Sequence, residues 1–218
     1  MLGLFTAGGA LMWPILLCSI IALTLISERF WSLRSNRVTP ENTVTQAMAL
    51  LNHPDKAKLE SLARCSPLGR IFATALKYGN ADIQVIQEHV EEAGRHAVHE
   101  LEKYLSGLGT IAAIAPLLGL LGTVVGMIDV FSNIMMQGVG QSQALAGGIA
   151  VALLTTAAGL LVAIPSLIAH RYFERQVENL SIELEQQSAL FLDAIRRRKL
   201  AQRKSDPSDA LYFQEAMA

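Results

Sequence analysis

The groups in this chain that could do chemistry are few, and they sit in apolar surroundings. Thr123, Thr155 and Thr156 place hydroxyls, and Asp129 a carboxylate, in stretches that hold no other acid or base. Hydroxyls in lipid bond across helices, or offer a passing ion a polar contact without fixed charge. An intramembrane carboxylate is a candidate functional group by default. Asp129 stands six residues past Thr123, so the competing reading puts it among the outer headgroups, simply solvated. Pro116 and Pro165 lie in the same stretches. Each frees a backbone carbonyl and weakens its helix, which makes both hinge candidates; a static kink is the plainer reading.

Small residues surround the threonines. Ala112, Pro116, Gly119, Thr123 and Gly126 recur at helical spacing, and so do Gly148, Ala152, Thr155 or Thr156, Gly159 and Ala163. Large apolar residues such as Leu117, Leu120, Leu121, Val124 and Leu161 occupy the opposite faces. Small stripes let helices approach closely in lipid. Packing alone explains them; the functional reading is that the threonine faces line a central space shared with other copies or with a partner helix.

Other chemistries find no support. His96 and His99 share a face of a charged helix without a third ligand, and His170 marks the inner end of an apolar stretch. Cys18 and Cys65 fall in an apolar and a charged segment respectively, with no zinc-type spacing, and no disulfide is expected. No phosphate-binding glycine loop, nucleophile–base constellation or nucleic-acid motif is present. The expectation is no enzyme, no catalytic residue, no metal, no cofactor and no nucleic-acid partner.

The elements that position these groups follow from charge distribution. The chain has 218 residues, 51% hydrophobic and 17% charged, which alone would fit a soluble helical domain. Yet residues 1–27, 104–128 and 130–170 contain no Asp, Glu, Lys or Arg. A bilayer core takes roughly 20 apolar residues per helix, so the three stretches hold three spans. The polar, Gly-rich run around Gly138 turns the second into the third. All 18 Lys and Arg lie in 28–103 or 171–218, which places both charged segments in the cytoplasm and the N-terminus outside. A cleaved signal peptide would want a basic leading region, and residues 1–27 have none.

The predicted fold is therefore an all-α membrane protein with three transmembrane helices, the second and third extending into the cytoplasm. Its segments are 1–37, an N-terminal stretch and the first span; 38–103, a cytoplasmic helical domain; 104–136, the second span; 137–143, a periplasmic loop; 144–170, the third span; 171–199, an amphipathic cytoplasmic helix; and 200–218, a disordered tail. Within the cytoplasmic domain, Pro40 opens one helix, 68–78 reads as another, and Asp82 caps a third that should run unbroken into the second span. Phe173, Val177, Leu180, Leu184, Phe191 and Ile195 form the apolar side of the last helix. Leu211-Tyr212-Phe213-Gln214 matches part of a protease-recognition tag without its leading residues and receives no assignment.

Residues 114–127 (IAPLLGLLGTVVGM) and 148–165 (GIAVALLTTAAGLLVAIP) resemble the ExbB/TolQ/MotA family of proton-channel motor subunits, nearest its ExbB branch. The resemblance extends over about 11–198. It implies a homopentamer around a dimer of an ExbD-like single-span partner whose membrane helix carries a proton-binding Asp. By motif position it implies that Thr123 and Thr156 face the pore; Thr155, Gly119, Gly126, Ala152 and Gly159, which belong to the same two stripes, are expected to line it too. It implies a multi-pass protein of the bacterial inner membrane, in contact with lipid, that passes proton-motive energy to a TonB-like protein for transport across the outer membrane. The alternatives are a TolQ-like subunit of the Tol-Pal envelope-maintenance system, or a non-conducting structural scaffold. One position departs from the pattern: well-known ExbB and TolQ members carry Glu five residues before the second threonine, and this chain has Val151.

Overall fold

The computed structural model describes residues 9–53, 55–137 and 142–204. Among them are helices and connecting turns only. In chain order these are α1 (Met12–Ser32), α2 (Ser35–Val38), α3 (Glu41–Asn52), α4 (Lys56–Cys65), α5 (Pro67–Lys77), α6 (Ile83–Glu102), α7 (Leu105–Gln137) and α8 (Ser142–Lys204). Three apolar stretches are long enough to cross a bilayer: Met12–Ser32, and one window within each of Ile83–Met136 and Ala146–Gln202. The chain is an all-α membrane protein. It divides into two compact units: Met1–Ser32 with Glu102–Arg175, and Leu33–Leu101 with Gln176–Ala218.

In the first unit α7 and the first part of α8 pack through small residues and turn large ones outward, while α1 buries Met12, Ile15, Ala22 and Arg29. Leu117, Leu120, Leu121, Val124, Leu161 and Ile164 are all exposed. In water such a surface would be an aggregation liability; against lipid tails it is the ordinary outside of the protein. Helix continues through both Pro116 and Pro165. Beside Pro165, the buried Ser166 hydroxyl donates to the Val162 carbonyl at 2.7 Å, a local back-bond of the kind that eases helix bending.

One expectation fails here. The helix begun at Ile83 does not run unbroken into the second span: α6 ends at Glu102, and α7 starts at Leu105. Between them Tyr104 adopts φ 66°, the left-handed conformation that commonly ends a helix and that Gly normally supplies. For a residue with a Cβ it costs about 1–2 kcal/mol. The Tyr104 ring is held from both sides of its chemistry. The guanidinium of the buried Arg29 lies 5.1 Å from the ring centroid, and Lys103 Nζ lies 5.0 Å away. A cation over a tyrosine face is worth about 0.5–2 kcal/mol, enough to offset the backbone term. Arg29 also donates from Nε to Glu28 at 2.7 Å.

The second unit is a helical cluster around one aromatic pair. Phe72 of α5 and Phe191 of α8 have centroids 4.4 Å apart, and both are buried. Val177, Leu180, Leu184 and Ile195 of α8 are buried as well, as are Ile86, Val90 and Leu101 of α6. On α8 the periodic apolar positions read from the sequence are the ones that pack. Thr39 donates to Glu183 at 2.8 Å, pinning α8 to the start of the unit. The sequence reading passed over α4. Its apolar content is slight, Leu62 alone being fully buried, and what fixes the helix is its cap: Asp55 accepts from the Ala57 N–H at 3.0 Å. Ser66 is the N-cap of α5, accepting from Gly69 N–H at 3.0 Å, with Pro67 in the first turn. Helix α8 runs on to Lys204, beyond residue 199 where the last helix was expected to stop. The central run of the 137–143 loop (138–141) and the tail from 205 lie outside the described residues.

Candidate functional site

The threonines lie along the line where α7 and α8 meet. Contacts pair the helices antiparallel: Ala115 with Gly159, Gly119 with Thr156, Gly122 with Thr155, Gly126 with Ala152, and Val130 with Gly148. The approach is as close as backbones allow. A Cβ on Gly159 would sit 2.5 Å from the Ala115 carbonyl oxygen and 3.1 Å from Gly119 Cα. A Cβ on Gly122 would sit 2.6 Å from Thr155 Cβ, an atom no rotamer can move.

The buried face of α7 differs from the stripe read in the sequence. Ala112, Ala115, Gly119, Gly122, Gly126 and Val130 are buried along the seam, while Pro116 and Thr123 are half-exposed beside them. On α8 the buried set is Ala152, Thr155, Gly159, Ala163 and Ser166, and Thr156 is half-exposed. Both series kept a 3–4 spacing, and neighbouring small residues satisfy that spacing equally well. Gly122 was quoted in the motif yet left off the stripe; its position three after Gly119 and four before Gly126 was the available signal.

Polar bonding separates the three threonines. Thr155 is 1% exposed and donates to the Ala152 carbonyl at 2.8 Å within its own helix. Thr156 reaches across, donating to the Gly119 carbonyl at 3.0 Å. Thr123 donates to the Leu120 carbonyl at 2.6 Å. At about 100° per residue, Thr123 stands some 50° off the centre of the α7 buried face, and Thr156 some 50° off that of α8. Because the helices are antiparallel, both offsets fall on the same flank of the seam. Asp129 is exposed and falls about 120° around α7 from Thr123, on the other flank. Val151 is half-buried. Of the seven residues expected along a pore, Gly119, Gly126, Ala152, Gly159 and Thr155 are therefore enclosed between helices of one chain, and Thr123 and Thr156 keep open surface.

Further down the same helix pair, His170 packs against Gly109. A Cβ on that glycine would lie 3.0 Å from Nε2, and His170 Nδ1 is buried with no hydrogen-bond partner among the described residues. Sequence reasoning noted His170 only as a boundary; nothing in the spacing of Gly109 marked the contact. No group of three or more His, Cys, Asp or Glu that could hold a metal ion occurs among the described residues.

Comparison with known proteins gives this seam a context. Residues 63–186 match the MotA/TolQ/ExbB proton channel family. A biopolymer transport protein ExbB-like 1 of Synechocystis is 37% identical over 174 residues, covering 77% of this chain and 68% of its own length. Biopolymer transport protein exbB1 of Vibrio cholerae is 27% identical over 183 residues, covering 81% and 80%. The ExbB of Aquifex aeolicus is 41% identical over 86 residues, 39% of this chain and 58% of that protein. With more than half its length matched, and with the glycine–threonine seam built from that matched region, this chain belongs to the MotA/TolQ/ExbB proton channel family.

Proposed function

We propose that this protein is an ExbB-like subunit of a proton-motive-force-driven motor in the bacterial inner membrane. Five copies surround a dimer of an ExbD-like single-span partner, and the complex energises a TonB-like protein for transport across the outer membrane. The observation that carries the reading is the pair of hydroxyls, Thr123 and Thr156, on one flank of a seam otherwise made of small apolar residues. That flank is the surface the partner helix would meet. The names of the relatives favour the ExbB branch over TolQ.

The chemistry follows from desolvation. A partner carboxylate in a dry pore is costly while charged. Protonation there removes the charge, and the neutral side chain can move past successive subunits. Thr123 and Thr156 contribute oxygen atoms that accept or donate without adding fixed charge. Each hydroxyl already donates to a carbonyl of its surroundings, so its lone pairs remain to accept from a protonated acid. Thr155, enclosed and internally bonded, holds the helix pair in register. Asp129, on the opposite flank, takes no part in this step. With Val151 apolar, the titrating group is the partner's. The topology that serves this arrangement has the N-terminus outside and both charged segments in the cytoplasm, with the exposed leucines against lipid.

Native mass spectrometry of the complex, purified after co-expression with the single-span gene product, tests the proposal. Five copies with two partner chains are expected. A monomer, or an oligomer that binds no partner, overturns the motor reading and leaves a scaffold.

A further inference from the structure

A cavity of about 450 Å³ opens in the second unit, within the size range of small-ligand and peptide pockets. Leu50, Leu59, Leu76 and Ile195 supply its apolar lining, and Lys56 and Arg198 bring positive charge to it. Neither cation has a hydrogen bond or ion pair among the described residues. The remaining charged groups of the lining are engaged: Lys199 donates to the Ala81 carbonyl, and Asp55 accepts from Ala57 N–H at 3.0 Å. The cavity is thus an apolar hollow whose lining carries three cations, Lys56, Arg198 and Lys199, against the single carboxylate of Asp55, suited to an anionic segment that carries large apolar side chains.

The chain itself contains such a segment next to this cavity. Arg198, Lys199 and Gln202 line it from the last turns of α8, and α8 ends at Lys204. Residues 205–218 read SDPSDALYFQEAMA. Asp206, Asp209 and Glu215 are its charged residues, with no Lys, Arg or His, and Leu211, Tyr212 and Phe213 stand together. Pro207 lacks the N–H that a continuing helix would use, and Asp-Pro favours a turn. Leu211 stands seven positions beyond Lys204, a reach of up to roughly 23 Å at about 3.3 Å per residue, ample for doubling back one helix end.

We propose that segment 205–218 docks into this cavity on its own chain, with Leu211, Tyr212 and Phe213 on the leucine lining and its carboxylates paired with Lys56 and Arg198. The full chain, with the photo-reactive p-benzoylphenylalanine in place of Tyr212, tests this after purification in its complex. Cross-linked peptides are mapped by mass spectrometry, using a mixture of isotopically labelled and unlabelled chains to separate links within a copy from links between copies. Links within one copy to peptides holding Leu50, Leu59 or Leu76 are expected. Lys56→Glu with Arg198→Glu should lower their yield about five-fold, as two rim ion pairs are lost, and Asp206→Lys with Asp209→Lys should do the same without touching the folded unit. Combining the two pairs should restore it. Links to another surface, links only between copies, or yields indifferent to both charge reversals would overturn the proposal.

Discussion

Gly159→Ala is the smallest change that probes the α7–α8 seam. The added methyl would lie 2.5 Å from the Ala115 carbonyl oxygen, and a real Cβ essentially never approaches closer than 3.0 Å. The obstacle is backbone, so no side chain can rotate away, and the helices must part by about 0.5 Å or more. The Thr156–Gly119 hydrogen bond, now 3.0 Å, would stretch to about 3.5 Å, where it no longer counts as one. Loss of packing costs about 1–3 kcal/mol, and loss of an interhelical hydrogen bond in lipid about 0.6 kcal/mol more. The intrinsic gain of Ala over Gly in a helix, about 1 kcal/mol, opposes this. The net expectation is destabilisation of about 1–2 kcal/mol by the same accounting. Equilibrium unfolding of the purified protein in mixed detergent micelles, followed by circular dichroism, reads it directly. Gly94→Ala is the matched control, because nothing stands within 4 Å of its Cβ position. A Gly159→Ala protein as stable as the Gly94→Ala protein would refute the seam as described.

Other consequences follow from the same geometry. Gly94→Ala itself should stabilise by about 0.4–1 kcal/mol, since Ala loses less chain entropy on folding, measurable in the same unfolding curves. Tyr104→Gly should be more stable than Tyr104→Ala by about 1 kcal/mol, reversing the usual helix ranking, because only Ala keeps the left-handed strain; equal midpoints would show that the backbone at 104 is not held there. Phe191→Ala should cost about 3–5 kcal/mol and lower the thermal midpoint of the second unit, given its contact with Phe72 at 4.4 Å. Thr156→Val should weaken partner-dependent transport while leaving the oligomer assembled, because Val keeps the shape but cannot donate to Gly119.

Much of this architecture is legible in the sequence. The uncharged stretches fixed three spans because the bilayer tolerates nothing else, and the apolar positions of the last helix, Phe173 to Ile195, are all buried. The misreadings share a cause. Helix α4 and the break at Tyr104 depend on caps and on a cation–π contact rather than on periodicity, so a pattern of apolar spacings does not contain them. On α7 the small residues are so dense that two adjacent stripes fit the same spacing; only the partner helix decides that Gly122 goes inward and Thr123 to the flank. His170 and Gly109 are 61 positions apart, and no local rule joins them. The threonines themselves were readable, since hydroxyls are scarce in lipid-spanning sequence and stand out by chemistry alone.

Proton flux through the reconstituted complex tests the central claim most directly. Vesicles containing this protein and the proposed single-span partner, energised by a potassium diffusion potential and loaded with a pH-sensitive dye, should take up protons. Thr156→Val should cut that uptake about ten-fold, equivalent to about 1.4 kcal/mol at the conducting step, with the proposed five-to-two assembly intact. Uptake that is absent in the unmutated complex, or undiminished by Thr156→Val, would contradict a proton path along the threonine flank.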